Sequence, residues 1–205
     1  MSLNKYKIII ILTVSVLILG TNYSLLYKYF NINSEDFFSL YTLDKDGTTN
    51  NYFIEDSDII VGNTTDWTIT VENKMENVQY VKLIIKIFNS SNMNDDIYSG
   101  IPNSNPILYQ REHYILDNNK WDHNIQWHIK EIEISNNVTE IKKIVINQQE
   151  ITTSIFNDNS EDFIFLIELW PYNIKSTRVD KFMFTWESNG TPDCTWNKIW
   201  FNVVE

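Results

Sequence analysis

Three histidines, His113, His123 and His128, are the side chains best suited to metal binding or proton transfer, and their spacing argues against both. His123 and His128 stand five apart, so on one strand they point to opposite faces, and on a helix they make no ligand pair. Carboxylates gather at Glu55, Asp56 and Asp58, at Asp95 and Asp96, and at Asp158, Glu161 and Asp162. Calcium wants about six to eight oxygen ligands. The stretch Asp44 to Gly47 (DKDG) has only two of the acids of an EF-hand loop and lacks its distal glutamate, so it reads as a turn. No serine elbow, H-E-x-x-H pair or phosphate-binding glycine loop is present, and Cys194 has no evident histidine partner. Paired carboxylates of a hydrolase stay open, because the fold sets their separation. The expectation is a non-enzymatic protein with no cofactor.

Aromatic residues offer a second kind of chemistry, stacking on sugars. Of the seven tryptophans, Trp67, Trp170 and Trp186 fall on apolar stripes and are expected in the core. Trp121, Trp196 and Trp200 are the candidates for an exposed binding platform. N-glycosylation sequons begin at Asn22, Asn63, Asn89, Asn137 and Asn189. Asn22 lies in an apolar stretch and Asn189 runs into Thr191-Pro192, which leaves Asn63, Asn89 and Asn137 as acceptors. The chain is rich in asparagine and has no alanine, a bias that produces such sequons by chance as well. With Cys194 as the single cysteine, no internal disulfide can form; it is either a small buried hydrophobe or a thiol that pairs with a partner.

The elements that must position these groups read as β-strands. Apolar and polar residues alternate with period two from Trp67 to Val71, from Val81 to Ile87 and from Phe182 to Trp186. This pattern puts Lys82 and Lys86 on a solvent face and Phe182, Phe184 and Trp186 together on a core face. Phe163 to Trp170 (FIFLIELW) is nearly continuous apolar, as in a strand covered on both sides. Ile125 to Ile134, Ile144 to Ile146 and Ile199 to Val204 are further strand candidates, and Asn89 to Pro106 reads as a surface loop. Turn signals at Asp46-Gly47, Gly62-Asn63 and Ser188 to Gly190 separate the runs. Together they predict an all-β, immunoglobulin-like antiparallel β-sandwich. The pattern by itself does not distinguish a sandwich from a barrel.

Ahead of these strands, Ile8 to Tyr27 is uncharged and bracketed by Lys7 and Lys28. About 20 mainly apolar residues suffice to cross a bilayer as a helix, and Ile8 to Leu19 is apolar on every side but for Thr13 and Ser15. The expected layout is a cytoplasmic tail at 1–7, a transmembrane signal-anchor helix at 8–27, a juxtamembrane linker at 28–37 and an extracellular sandwich at 38–205. A cleaved signal peptide is the competing reading, with Gly20 or Ser24 as the small residue before the cut. Of the 16 basic residues 13 follow residue 30, along with all 27 acids, so the exported part carries −14. Such a surface repels nucleic acid and anionic lipid headgroups alike. The partners expected are the lipid bilayer, through residues 8–27, and other envelope or membrane proteins, with a carbohydrate-binding module of the envelope as the alternative.

One stretch carries a resemblance. Phe38, Leu40, Tyr41 and Leu43 lead to Gly47, followed by Asn51, Tyr52, Val61-Gly62, Ile69 to Asn73 (ITVEN), Glu76 and Tyr80. This series resembles an archaeal membrane-anchored family known as domain of unknown function 1616, and Trp196 to Val203 (WNKIWFNV) is similar to the C-terminal end of its thaumarchaeal-type members. Phe53 replaces the family's proline after the tyrosine, and Asn63 its glutamate after glycine. The resemblance implies an archaeal cell-surface protein with an immunoglobulin-like ectodomain; it implies no activity.

Overall fold

The strand pattern is realised in two packed antiparallel sheets. The computed structural model describes residues 36–49, 52–53, 58–93, 97, 99–158, 162–188 and 191–204. The expected span at 8–27, the tail before it and the linker up to residue 35 lie outside them. Among the described residues no helix is long and apolar enough to cross a membrane. The strands are β1 (Phe37–Leu43), β2 (Asp58–Ile60), β3 (Thr65–Lys74), β4 (Gln79–Asn89), β5 (Tyr109–Ile115), β6 (Lys120–Ser135), β7 (Val138–Ile146), β8 (Gln149–Asp158), β9 (Phe163–Pro171), β10 (Thr185–Ser188) and β11 (Thr191–Val204).

The first sheet has the order β1-β3-β6-β7-β8 and the second β10-β11-β9-β4-β5, with β2 added in parallel to the end of β11. The chain crosses between sheets after β1, β2, β3, β5 and β8. That alternation lets each sheet bury its inward face against the other. Trp67, Trp127 and Phe165 meet at the centre with ring centroids 4.8 to 5.1 Å apart, and Ile69, Val71, Leu83, Ile85, Ile129, Ile144, Ile167 and Leu169 fill in around them.

β9 is buried along its whole length, as its unbroken apolar run requires. One face meets the first sheet. Its other face supports a second cluster in which Ile84, Phe88, Ile164, Leu166 and Trp170 pack under Ile97, Phe182 and Phe184 from the connections that follow β4 and β9. The segment expected to be a surface loop therefore acts as a cover: it opens with a 3-10 turn at Ser90–Asn92 and buries Ile97 and Asn103. Phe182 and Phe184 are not in a strand with Trp186. Phe182 makes an isolated bridge to Tyr172, both phenylalanines lie on the outer cluster, and Trp186 packs in the inner core.

Lys82 and Lys86 lie on this covered face and are buried, which corrects the solvent face that alternation assigned them. Lys86 Nζ lies 2.9 and 3.1 Å from the two Glu168 carboxylate oxygens and donates also to the Asn103 carbonyl. Glu168 accepts two further bonds, from the Asn103 amide and the Trp170 indole, each 3.0 Å long. Lys82 reaches Asp180 at 3.0 Å and sits 4.1 Å from the Phe182 ring centre. The ion pairs thus tie both covering segments to the sheet. Removing one partner of a buried pair leaves an uncompensated charge, at a cost of about 3–5 kcal/mol. Lys86→Met should therefore lose about that much in urea unfolding followed by tryptophan emission, and the double variant K86M/E168Q should recover part of it. A loss below about 1 kcal/mol for K86M would show that the pair is not what holds the cover.

Candidate functional site

β11 carries the most accessible aromatic surface predicted for it. Its even-numbered residues face outward from the second sheet, placing Trp196, Lys198 and Trp200 in a row. Trp200 is 44% exposed, whereas Trp196 is half-buried against the outer cluster. Lys198 Nζ stands 4.5 Å from the Trp200 ring centre and 5.5 Å from that of Trp196, within the range of cation–π attraction. With one ammonium 4.5 Å from the Trp200 ring centre and 5.5 Å from that of Trp196, the two indoles lean toward each other over Lys198 rather than standing at the full spacing of the strand.

Trp121 does not join this row. It is buried at 9% exposure because odd-numbered residues of β6 face the core, and it lies under β5 at the rim of the sandwich. There it stacks on His113 with centroids 4.8 Å apart and meets His123 at 5.2 Å. Tyr109 also stacks on His123, at 5.8 Å, and its hydroxyl lies 3.0 Å from His123 Nε2. His113, Trp121, His123 and Tyr109 thus form a ladder joining β5 of one sheet to β6 of the other. The residue spacing held no sign of it, since β5 and β6 run in different sheets. Burial, then the Arg111 cation and His113, push the His123 imidazole below its ordinary range. His128 takes the opposite face of β6, and no group of three His, Cys, Asp or Glu side chains among the described residues is placed to hold a metal. The Asp44 carboxylate is spent within its own turn, accepting from the Asp46 and Thr48 amides and the Thr48 hydroxyl at 2.6 to 2.9 Å.

The three sequons part ways. Asn63 follows β2 and Asn137 sits at the tip of the β6–β7 turn with φ of 63°, and both are exposed. Asn89 is buried. It donates to the Phe156 carbonyl at 3.1 Å and accepts from the Ser91 amide at 2.8 Å, so its amide is engaged in capping rather than presented as an acceptor. Cys194 is a half-buried free thiol against the outer cluster, and burial followed by Asp193 raises its pKa.

β8, the outermost strand of the first sheet, was not among the strands expected from the sequence. Beside it runs a groove of about 500 Å3 between Ile151 to Phe156 and the segment Asn105 to Leu108, floored by Ile87 and Phe88. Its lining is mostly apolar, and Ile107 and Phe156 stand exposed at its rim. β1, at the other edge of the sheet, is better covered: Thr195 bonds the Phe38 carbonyl at 3.4 Å and Asn197 bonds Thr42 at 3.2 Å. No family model matches the chain, and no curated protein does. The resemblance carried by Phe38 to Tyr80 therefore rests on those residues alone.

His123 gives the ladder a pH dependence. A histidine whose folded pKa is depressed binds fewer protons folded than unfolded, so its contribution is intact above its ordinary value of 6.5 and is lost as pH falls below it. Stability should decline between about pH 7 and pH 5, and His123→Gln should flatten that slope in thermal melts. Asp122, Glu140, Glu150 and Asp180 have lowered pKa values and weigh in only below their ordinary 3.8 to 4.5. An unchanged slope in the variant would show that His123 does not titrate with folding.

Proposed function

We propose that this protein is a single-pass membrane-anchored surface protein whose acidic, immunoglobulin-like sandwich serves as a non-enzymatic interaction ectodomain. The uncharged stretch from Ile8 to Tyr27 and the −14 charge beyond residue 30 support the tethered, outward-facing layout. Two packed sheets, antiparallel but for β2, with repeated crossings of the chain between them support the immunoglobulin-like reading. The observation that carries the interaction role is the outermost position of β8, where Asn89 takes the Phe156 carbonyl, beside its apolar groove. An edge strand offers unpaired backbone groups at a fixed spacing, and a neighbouring groove takes alternate side chains of an added strand. The partner is an extended segment of another envelope or membrane protein.

A photo-crosslinking residue in place of Thr153, in the full chain in its native membrane, should trap a defined protein. Adding Ile107→Lys and Phe156→Lys, both at exposed positions, should abolish that crosslink without unfolding the domain. An undiminished crosslink in the charged variant would sink the groove as the contact. Turnover of a substrate by the purified protein, lost on changing one carboxylate, would replace the binding role with a hydrolytic one.

The exposure of Trp200 favours a second reading, a carbohydrate-binding module of the envelope. Stacking of a sugar on an indole shifts its emission. Titration with a glycan panel should then change tryptophan fluorescence in the wild type and leave Trp200→Ala unchanged; silence across the panel would remove this reading.

A further inference from the structure

Exposed apolar side chains collect at the end of the sandwich where β1 begins. Phe37 opposes Lys74 at the close of β3, Gln79 at the start of β4 opposes Ile115 at the close of β5, and Val81 opposes Pro171 at the close of β9. All these strand ends therefore share one end of the domain, together with the connections that leave them. Asn73 makes this end rigid: its buried amide bonds the Asn77 and Ile115 carbonyls at 2.7 and 2.9 Å, and its backbone N–H bonds Asn119 at 2.9 Å. On that frame stand Phe37, Val78, Tyr114, Leu116, Tyr172 and Ile174, each between 39% and 76% exposed. They are six of the thirteen large hydrophobic residues exposed among the described residues, so nearly half of that surface sits at one end. Tyr114 is stacked on Tyr80 with ring centres 4.2 Å apart, which fixes its ring rather than letting it fold away.

We infer that this end docks on the lipid bilayer, with Tyr114, Leu116, Tyr172 and Ile174 entering the headgroup layer. The inference rests on reading residues 8–27 as the membrane anchor. Chain length favours lipid over other occupants. Asp36 opens the described chain at this end, and only residues 28–35 separate it from Tyr27, the last residue of the uncharged stretch. That piece reaches at most about 30 Å when fully extended. A tether so short makes docking intramolecular, so that even a weak interfacial affinity is enough. Tyrosine is the residue type that settles at the membrane–water boundary, with its ring among acyl chains and its hydroxyl in the headgroups. Lys74, opposite Phe37, and Lys175, next to Ile174, bring positive charge to this end, beside Asp36, Glu76 and Asp117, while the Lys181 ammonium is held by the Ser176 carbonyl at 2.7 Å. The rest of the acidic domain is repelled by an anionic surface and points away from it.

The test uses the full chain in phosphatidylcholine vesicles. In a Cys194→Ser background, Leu116→Cys and Ile134→Cys carry an environment-sensitive fluorophore, Ile134 being exposed near the turn end of β6, at the opposite end of the sandwich. Brominated phosphatidylcholine should quench the label at 116 at least threefold more than the label at 134, with a blue shift at 116 only. Equal quenching at the two positions would overturn the inference. So would a label at 116 that is shielded from iodide yet untouched by bromine, because a protein surface, a second copy included, would then cover it. Flotation separates the two readings. A chain that stays at the bottom of the gradient lacks the anchor, and the docking falls with it; a chain that floats with an unquenched label at 116 keeps the anchor and loses the docking alone.

Discussion

The buried pair between Lys86 and Glu168 is the interaction on which the outer half of the molecule depends. A charge placed between strands that are covered on both faces survives only with its counter-charge and a full set of hydrogen bonds. Here the ammonium is shared between a carboxylate and the Asn103 carbonyl, and the carboxylate takes in the Asn103 amide and the Trp170 indole. Both the N–H and the C=O of one loop residue are thereby consumed by the pair. The segment after β4 is held over the sheet by its backbone as well as by its apolar residue Ile97. Lys82 does the same for the segment after β9 through Asp180. A sheet that could have shown one polar face to water is instead the middle of three layers.

That third layer explains what was legible in the residue pattern and what was not. Period two located β3, β4 and β6, because a strand with one buried face must alternate, and the unbroken run from Phe163 to Trp170 foretold a strand covered twice. The same rule misplaced Lys82 and Lys86. Alternation reports only that a residue differs from its neighbours, and a lysine buried with a counter-ion alternates as well as a lysine in water. β5 and β8 stayed hidden for a related reason. As outermost strands they carry polar residues at most positions, as in Tyr109 to Ile115 (YQREHYI), and give little periodic signal.

Site residues follow a similar logic. Trp200 is exposed because β11 turns its even-numbered positions outward, and that parity could be read from Ile199 and Phe201 in the core. Trp121 has the parity of Ile125, Trp127 and Ile129 and is buried with them; assigning it to the surface overlooked the two residue pairs by which β6 extends beyond Ile125. Asn89 caps the turn after it through a local bond to the Ser91 amide, but its burial depends on Phe156, which only the folded sandwich brings near it. The His113–Trp121–His123–Tyr109 ladder depends likewise on contact between two sheets.

The strand directions also set the two surfaces of interest apart. β4 starts at Gln79, beside the apolar end formed by Val78, Tyr114 and Leu116, and finishes at Asn89, whose side chain reaches the Phe156 carbonyl of β8. The groove floored by Ile87 and Phe88 is therefore at the opposite end of β4 from the tyrosines. If the tyrosine end rests on lipid, the β8 edge points away from the membrane, where a partner strand can reach it without meeting the headgroups. An edge strand close to the bilayer would have to compete with lipid for its exposed Phe156 and Ile107. The length of the sandwich removes that competition. With its apolar end and its β8 edge at opposite ends, the domain can use both surfaces at once, because neither contact obstructs the other.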